Sequence, residues 1–322
     1  MKIAILGAAN IAFQRFLPAL EKFPSLEYAG VASRMPEKAK RFEDAFGGVT
    51  YPSYEAVLND PAIEAVYLPL PPALHAMWGE RALAAGKHVL MEKPFTSLLT
   101  DTKKLLGMAE ERRLAIYENY MFLHHSQLAK IREFVSDGEL GELRLYRISF
   151  GIPRRDSSDF RYQKALGGGA LLDCGGYPLR LARELLGSSA RVVQAELQTP
   201  AGEEVDIFGN AVVQNDDGMC AQISFGIDNA YQCRLEIWGS KGTLIAPRVF
   251  TAGADVKPRI ILQSSMDEKK FVLAEDDHFL HSIEAFFNLI GDPKHQKKQR
   301  DAILHQAELV DAVKQLACGK NN

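Results

Sequence analysis

The sequence predicts a two-domain α/β protein: a parallel sheet covered by helices, then an α+β domain built on a large, mostly antiparallel open sheet. Three observations carry that expectation. At 322 residues the chain exceeds the ~250–300 at which a single hydrophobic core stops growing. Up to about residue 120, short apolar runs alternate with amphipathic segments. From Val192 to Leu262, by contrast, apolar runs follow one another with almost no helical spacing between them.

The first domain reads in order. Lys2–Leu6, "KIAIL", is apolar after its lysine and leads into a helix over Ile11–Phe23. Glu27–Ser33 leads into Pro36–Phe46, Glu64–Leu70 into Leu74–Ala85, and Lys87–Met91 into Thr100–Arg112; Leu114–Tyr120 closes the series. Strands apolar on both faces and separated by helices form a parallel sheet buried on both sides. Prolines and glycines fall at the joints.

After a helix over Leu123–Val135 the pattern changes. Gly141–Ile152 reads as a strand, followed by a loop and a glycine-led helix over Gly168–Leu186. The strands "RVVQAELQT", "VDIFGNAVVQN", "MCAQISFGI" and "YQCRLEIWG" then succeed one another, two of them joined by the hairpin turn Asn215–Gly218. Helices over His278–Leu289 and Asp301–Cys318 end the chain. The expected domains are 1–120 and 121–322, with the last helix able to pack on either.

Composition narrows the function. A net charge of −3 with 25% charged residues gives no basic face for nucleic acid. The cationic run "KHQKKQR" (Lys294–Arg300) follows Gly-Asp-Pro and reads as a solvated loop, a phosphate or partner patch being the alternative. The cysteines Cys174, Cys220, Cys233 and Cys318 show neither CxxC nor metal spacing, which suits a reducing cytoplasm. The apolar start of "MKIAILGAAN" is too short for a signal peptide or a membrane span, and no later segment approaches the ~20 apolar residues a span requires.

The joint "ILGAANIA" (Ile5–Ala12) lies between the first strand and the first helix. Of the G-x-G-x-x-G fingerprint it retains the turn glycine, Gly7, with Ala9 and Ala12 at the other two positions. Alanine is small enough for a pyrophosphate to reach the amides at a helix start, so Gly7, Ala9, Asn10 and Ile11 are candidate cofactor-binding residues. Alone, the match serves a structural turn equally well. Its place at the head of a βαβαβ pattern favours a Rossmann dinucleotide-binding domain. An NAD site wants a carboxylate at the end of the second strand. Here that strand ends in Ser33 and Arg34, with Lys38 one turn on and no acid before Glu37. A hydroxyl and a guanidinium suit a 2′-phosphate, hence NADP over NAD.

With "AGKHVLMEKPF" the chain resembles the Gfo/Idh/MocA oxidoreductases, whose G-K-H-V-x-x-E-K-P pattern is met at Gly86, Lys87, His88, Val89, Glu92, Lys93 and Pro94. The resemblance continues in "YLPLPPALHAMW", "ENYMFLHHSQ" and "RYQKALGGGALLDCGGYPL", and within the family it points to the nucleotide-sugar C-3 ketoreductases of deoxysugar biosynthesis. It implies that Lys93 is a catalytic cation beside the substrate oxygen and that Glu92 balances it or approaches the nicotinamide ribose. Pro94 restricts the backbone of Lys93, fixing where its side chain points. Leu70, Pro71 and His75 match the loop beside the nicotinamide, although Pro72 stands where many relatives have Asn. Arg161 matches an arginine that reaches the cofactor from the second domain.

In "GGGALLDCGGYPL", Asp173 and Tyr177 are four residues apart and share a helix face. The resemblance implies Tyr177 as proton donor, its phenol (ordinary pKa near ~10) made acidic by a neighbouring lysine cation. Asp173 would hold the substrate hydroxyl beside the reacting carbon, and Gly167–Gly169 would allow close backbone approach. His125, in a family "HP"-type motif whose proline is here Ser126, is a candidate substrate contact. The implied protein is a cytoplasmic, NADPH-dependent enzyme reducing C-3 of a sugar or nucleotide sugar. It would be a homodimer or homotetramer through the second-domain sheet, with no nucleic-acid, membrane or metal partner. An NADP-dependent aldose or trans-dihydrodiol dehydrogenase using the same lysine and tyrosine is the alternative. A non-catalytic NADPH sensor is a further one, which would not need Lys93, Asp173 and Tyr177.

Overall fold

The computed structural model describes residues 1–319; residues 320–322, the end of the expected second domain, lie outside the described residues. The chain divides into two compact units. Met1–Tyr120 forms the first together with Phe279–Ala307, and Met121–His278 forms the second with the residues from Glu308 onward. The helices after residue 278 therefore serve the first unit before the chain ends in the second.

In the first unit, β1 (Lys2–Leu6), β2 (Glu27–Ala32), β3 (Val49–Tyr51), β4 (Ala65–Leu68), β5 (His88–Glu92) and β6 (Ile116–Asn119) lie in the order β3-β2-β1-β4-β5-β6. Every neighbouring pair is parallel. This is the doubly wound order, in which the chain changes winding direction between β1 and β4 and opens a crevice at the carboxyl ends of those strands. Ile3, Ala4, Ile5 and Leu6 have no exposed surface, as a central strand covered on both faces requires. Trp78 packs edge-on against Tyr54, and Ile303 of the last helix joins the same core as Val66, Met91 and Leu105.

In the second unit, β7 (Leu143–Gly151), β8 (Arg191–Gln198), β9 (Phe208–Gln214), β10 (Cys220–Gly226), β11 (Gln232–Gly239), β12 (Thr243–Ala246), β13 (Arg259–Gln263) and β14 (Glu268–Val272) form one sheet. Its order is β14-β13-β12-β11-β7-β10-β9-β8, antiparallel except where β7 meets β10. The strands β9, β10 and β11 alternate between a buried and an exposed face over most of their length. Ile148, Ala211, Ile223, Leu235 and Ile237 are buried, and the helix Gly176–Leu186 packs on this sheet. Phe208, Asn210, Gln222, Arg234 and Trp238 lie on the opposite face and are exposed. Asn215–Gly218 makes the expected hairpin turn, with Gly218 N–H donating to Asn215 O.

Several boundaries differ from the sequence expectation, each for a local reason. "KHQKKQR" is not a loop: the final helix spans Pro293–Cys318 and contains it. Asp292 caps that helix by accepting the Lys294 and His295 N–H groups at 3.1 Å each, and Pro293 takes the first-turn position where a missing N–H costs nothing. β3 and the helix Tyr54–Asn59 were invisible to an apolar-run reading, since β3 is three residues long and mostly exposed. β14, "EKKFV", is a charged edge strand with no alternation to detect. The glycine-led helix begins beyond Gly169, with a π-helical turn over Leu171–Gly175 before Gly176–Leu186. The helix expected over Leu123–Val135 spans Ser126–Ser136, preceded by a 3₁₀ turn, Met121–His124. No helix among the described residues is long and apolar enough to cross a membrane.

Because Ile303 is fully buried among first-unit side chains, Ile303→Ala is expected to destabilise that unit by about 2–5 kcal/mol. Urea unfolding followed by circular dichroism measures it as a lower midpoint.

Candidate active site

The first unit gathers its functional side chains at the carboxyl ends of its strands. Gly7 follows β1 with φ +110°, and its N–H donates to Ala32 O at 2.9 Å. A side chain there would meet Leu70 Cδ2 at 2.6 Å, so only glycine lets the β4 loop close over the turn. Ala9 N–H donates to Gly7 O at 2.9 Å, and the helix begins at the exposed Asn10 and the partly exposed Ile11. At the end of β2, Ser33 Oγ accepts the Met35 N–H at 3.1 Å, shaping the bend before the next helix. Arg34 and Lys38 are exposed, and no carboxylate stands before Glu37. These residues fit NADP: a glycine held at φ +110° in the turn, a helix start beside it, and two exposed cations for a 2′-phosphate.

The block around Lys93 divides into frame and chemistry. Lys87 is 6% exposed, and its ammonium donates to Asp60 O at 2.8 Å and Ile63 O at 2.7 Å. His88 Nδ1 accepts the Ala115 N–H at 2.9 Å. Both residues of the G-K-H segment are thus structural ties. Glu92, ending β5, takes the Tyr67 hydroxyl at 2.7 Å and the Asn119 amide Nδ2 at 2.6 Å on one oxygen, Oε1. Burial pushes its pKa up, while those two donors and the Lys93 cation pull it down. The carboxylate that the sequence reading assigned to Lys93 or a ribose is thereby also clamped between β4 and β6. The Lys93–Pro94 peptide is cis.

His75 corrects an expectation. Its ring has no exposed surface, with Nε2 2.8 Å from Leu70 O and Nδ1 2.9 Å from Pro94 O. A ring with both nitrogens facing carbonyls of the unit is a strut between the β4 and β5 loops, and neither nitrogen is spare for a cofactor. Burial pushes its pKa down, and the facing carbonyls oppose that. A neutral imidazole owns one N–H and can donate to only one carbonyl at a time.

The second unit carries a second cluster. Arg161 is no surface arginine: Nε donates to Asp173 Oδ2 at 2.6 Å and Nη1 to Asp159 Oδ1 at 3.1 Å. Burial opposes its charge, but Asp173 and Asp159 outweigh that and hold its pKa above the ordinary arginine value. Asp173, expected as a substrate contact, is thus also the anchor of this guanidinium. The triple glycine makes the pairing possible. A Cβ on Gly168 would lie 2.4 Å from Arg161 O, and one on Gly169 would lie 2.4 Å from Asp206 Oδ1. Gly169 N–H donates to Arg161 O at 2.9 Å, and Asp206 Oδ2 accepts the Leu171 N–H at 2.6 Å. Asp206 therefore caps the helical segment that bears Asp173 and Tyr177, a role sequence reading missed because Asp206 lies 35 positions from its partner.

Tyr177 is 6% exposed, its ring walled by Phe150, Phe250 and Phe122 with centroids 4.8, 5.5 and 5.8 Å away. Three apolar rings leave the phenol few orientations. His125, expected as a substrate contact, serves as a helix cap through one ring nitrogen. It is 2% exposed, and Nδ1 accepts the Gln127 N–H at 3.1 Å, capping the helix Ser126–Ser136. Among the described residues no group of three His, Cys, Asp or Glu could hold a metal ion.

A Rossmann unit with Lys93 at a strand end, followed by an open-sheet unit bearing Tyr177, defines a class. Residues 1–120 match the oxidoreductase family with an NAD-binding Rossmann fold, and residues 128–245 match the GFO/IDH/MocA C-terminal domain. The chain belongs to the Gfo/Idh/MocA family of oxidoreductases.

Particular relatives are similar over nearly the whole length. The dTDP-3,4-didehydro-2,6-dideoxy-α-D-glucose 3-reductase of Actinomadura kijaniata is 41% identical over 314 residues, covering 98% of this chain and 95% of the relative. The reductase of the same name from Streptomyces violaceoruber is 42% identical, with coverage of 98% and 95%. The crystal structure of KijD10, a 3-ketoreductase from Actinomadura kijaniata in complex with NADP and TDP-benzene, matches with a TM-score of 0.94 at 41% identity, covering 98% and 97%.

Replacing the two-ended strut tests the His75 assignment. His75→Gln offers polar atoms at one end only and is expected to cost about 1–3 kcal/mol of stability. A thermal melt reads this, and an unchanged melting temperature would refute the strut.

Proposed function

We propose that this protein reduces the 3-keto group of a deoxyhexose carried on dTDP, with NADPH as reductant. What carries the reading is the near-full-length similarity to dTDP-sugar 3-reductases together with Lys93, Asp173 and Tyr177 in this chain. NADPH, when bound, supplies hydride to C-3. As the carbonyl π pair moves onto oxygen, the Lys93 ammonium stabilises the developing negative charge. The Tyr177 hydroxyl gives that oxygen its proton, completing the alcohol. Arg161, fixed by Asp173 and Asp159, keeps a cation at a set place in its unit, while Arg34 and Lys38 select the 2′-phosphate. The phenylalanines around Tyr177 exclude water from the ring and hold its orientation.

Two further parts of the proposal concern the setting. The open face of the second-unit sheet, with Phe208 and Trp238 exposed on it, pairs copies of the chain into a dimer or tetramer. The cysteines at 174, 220, 233 and 318, without CxxC or metal spacing, suit the reducing cytoplasm.

Lys93→Ala and Tyr177→Phe are each expected to lower kcat on a dTDP-linked 3-keto hexose by about 10²–10⁴-fold while NADPH binding persists. Steady-state kinetics and NADPH titration check this, and full rates in both variants would remove the mechanism. Arg34→Ala is expected to raise the KM for NADPH roughly tenfold or more and leave that for NADH nearly unchanged. A thermal-shift panel of NADPH with UDP-, GDP- and dTDP-sugars is expected to single out dTDP. Oxidation of free aldoses with NADP instead would favour an aldose dehydrogenase.

A further inference from the structure

The hydrogen bonds around Glu92 continue beyond the sheet, into the helix His278–Leu289. Ser282 on that helix is 1% exposed, and its hydroxyl donates to Asn119 Oδ1 at 2.7 Å. Tyr117 Oη stands 3.5 Å from the same hydroxyl. A serine carries one hydroxyl proton, and the shorter contact takes it. With its oxygen engaged, the Asn119 amide turns its NH₂ toward Glu92, where Nδ2 lies 2.6 Å from Oε1. The opposite rotamer would press a carbonyl against a carboxylate at that distance.

We infer that Ser282 is a positioning residue: it sets the direction of the Asn119 amide so that a donor faces the Glu92 carboxylate next to Lys93. Nothing in the motif around Lys93 points to it, because Ser282 lies 163 positions from Asn119. The significance for reduction rests on the proposed role of Lys93; the hydrogen-bond logic does not. Glu92 is met by Tyr67 from β4, Asn119 from β6 and Lys93 next in sequence, with Tyr117 beyond Ser282. Burial already pushes the carboxyl toward its neutral form, so losing one donor moves its titration to higher pH. A neutral Glu92 no longer balances the adjacent ammonium.

The test uses the full-length protein without ligand. The protonated-carboxyl infrared band of Glu92, identified by its loss in Glu92→Gln, is titrated in the parent and in Ser282→Ala. The expected result is a midpoint about one pH unit higher in Ser282→Ala. The rise of kcat with pH is expected to move to higher pH by the same amount, with little change in the KM for NADPH. Ser282→Cys keeps the side-chain shape and donates weakly, so it shifts the midpoint in the same direction and serves if the alanine variant does not fold. An unchanged midpoint in a folded variant overturns the proposal. A shifted midpoint with an unchanged pH dependence of kcat supports the positioning and overturns only the part given to Lys93.

Discussion

A parallel sheet has one edge at which all its strands finish, and the first unit of this protein is organised by that constraint. Gly7, Ser33, Leu70, Lys93 and Tyr120 follow β1, β2, β4, β5 and β6 respectively, and the chain has no other place to put them once the strand order is set. Polar groups at that edge must be satisfied without losing the strands' burial. The solution is internal cross-bracing. His75 lies between two loop carbonyls there and Glu92 draws donors from the strands on either side of it, while Lys87 ties two carbonyls at the opposite edge, where β4 and β5 begin. Lys93 follows directly on the braced end of β5.

The second unit solves a similar problem with small residues. Two glycines let the Arg161 carbonyl and the Asp206 carboxylate come within reach of the start of a helix, and that approach brings Arg161 to Asp173. A side chain at either glycine would push apart groups that must hydrogen-bond. The cation, its counter-ion and the helix bearing Tyr177 are therefore held by backbone proximity more than by side-chain bulk.

The architecture was legible wherever burial imposed a period. The runs Lys2–Leu6 and Lys87–Met91, and the alternation through "MCAQISFGI", announced a sheet buried on both faces and a sheet buried on one. Legibility failed where structure is set by a polar contact or by exposure. Asp292–Pro293 starts a helix through a side-chain cap, yet the lysines that follow look like loop. The edge strand β14 has no apolar face to betray it. In the site, residue types were readable but their partners were not. Arg161 and Asp173 were both singled out without any sign that they meet, and the roles of Asp206 and Ser282 depend on contacts far apart in the chain. His75 and His125 were marked for ligands by the family motifs they match, and their burial, one as a strut and the other as a cap, left no sign in the sequence.

The chain holds two tryptophans, one in each unit. Trp78 is 7% exposed and lies in the first core against Tyr54, whereas Trp238 is 39% exposed on the open sheet face. Their fluorescence therefore separates by colour and by access: the sheltered indole emits toward the blue, and iodide or acrylamide quenches the other first wherever a second copy does not cover the open face. Each unit carries its own optical probe without a label being added.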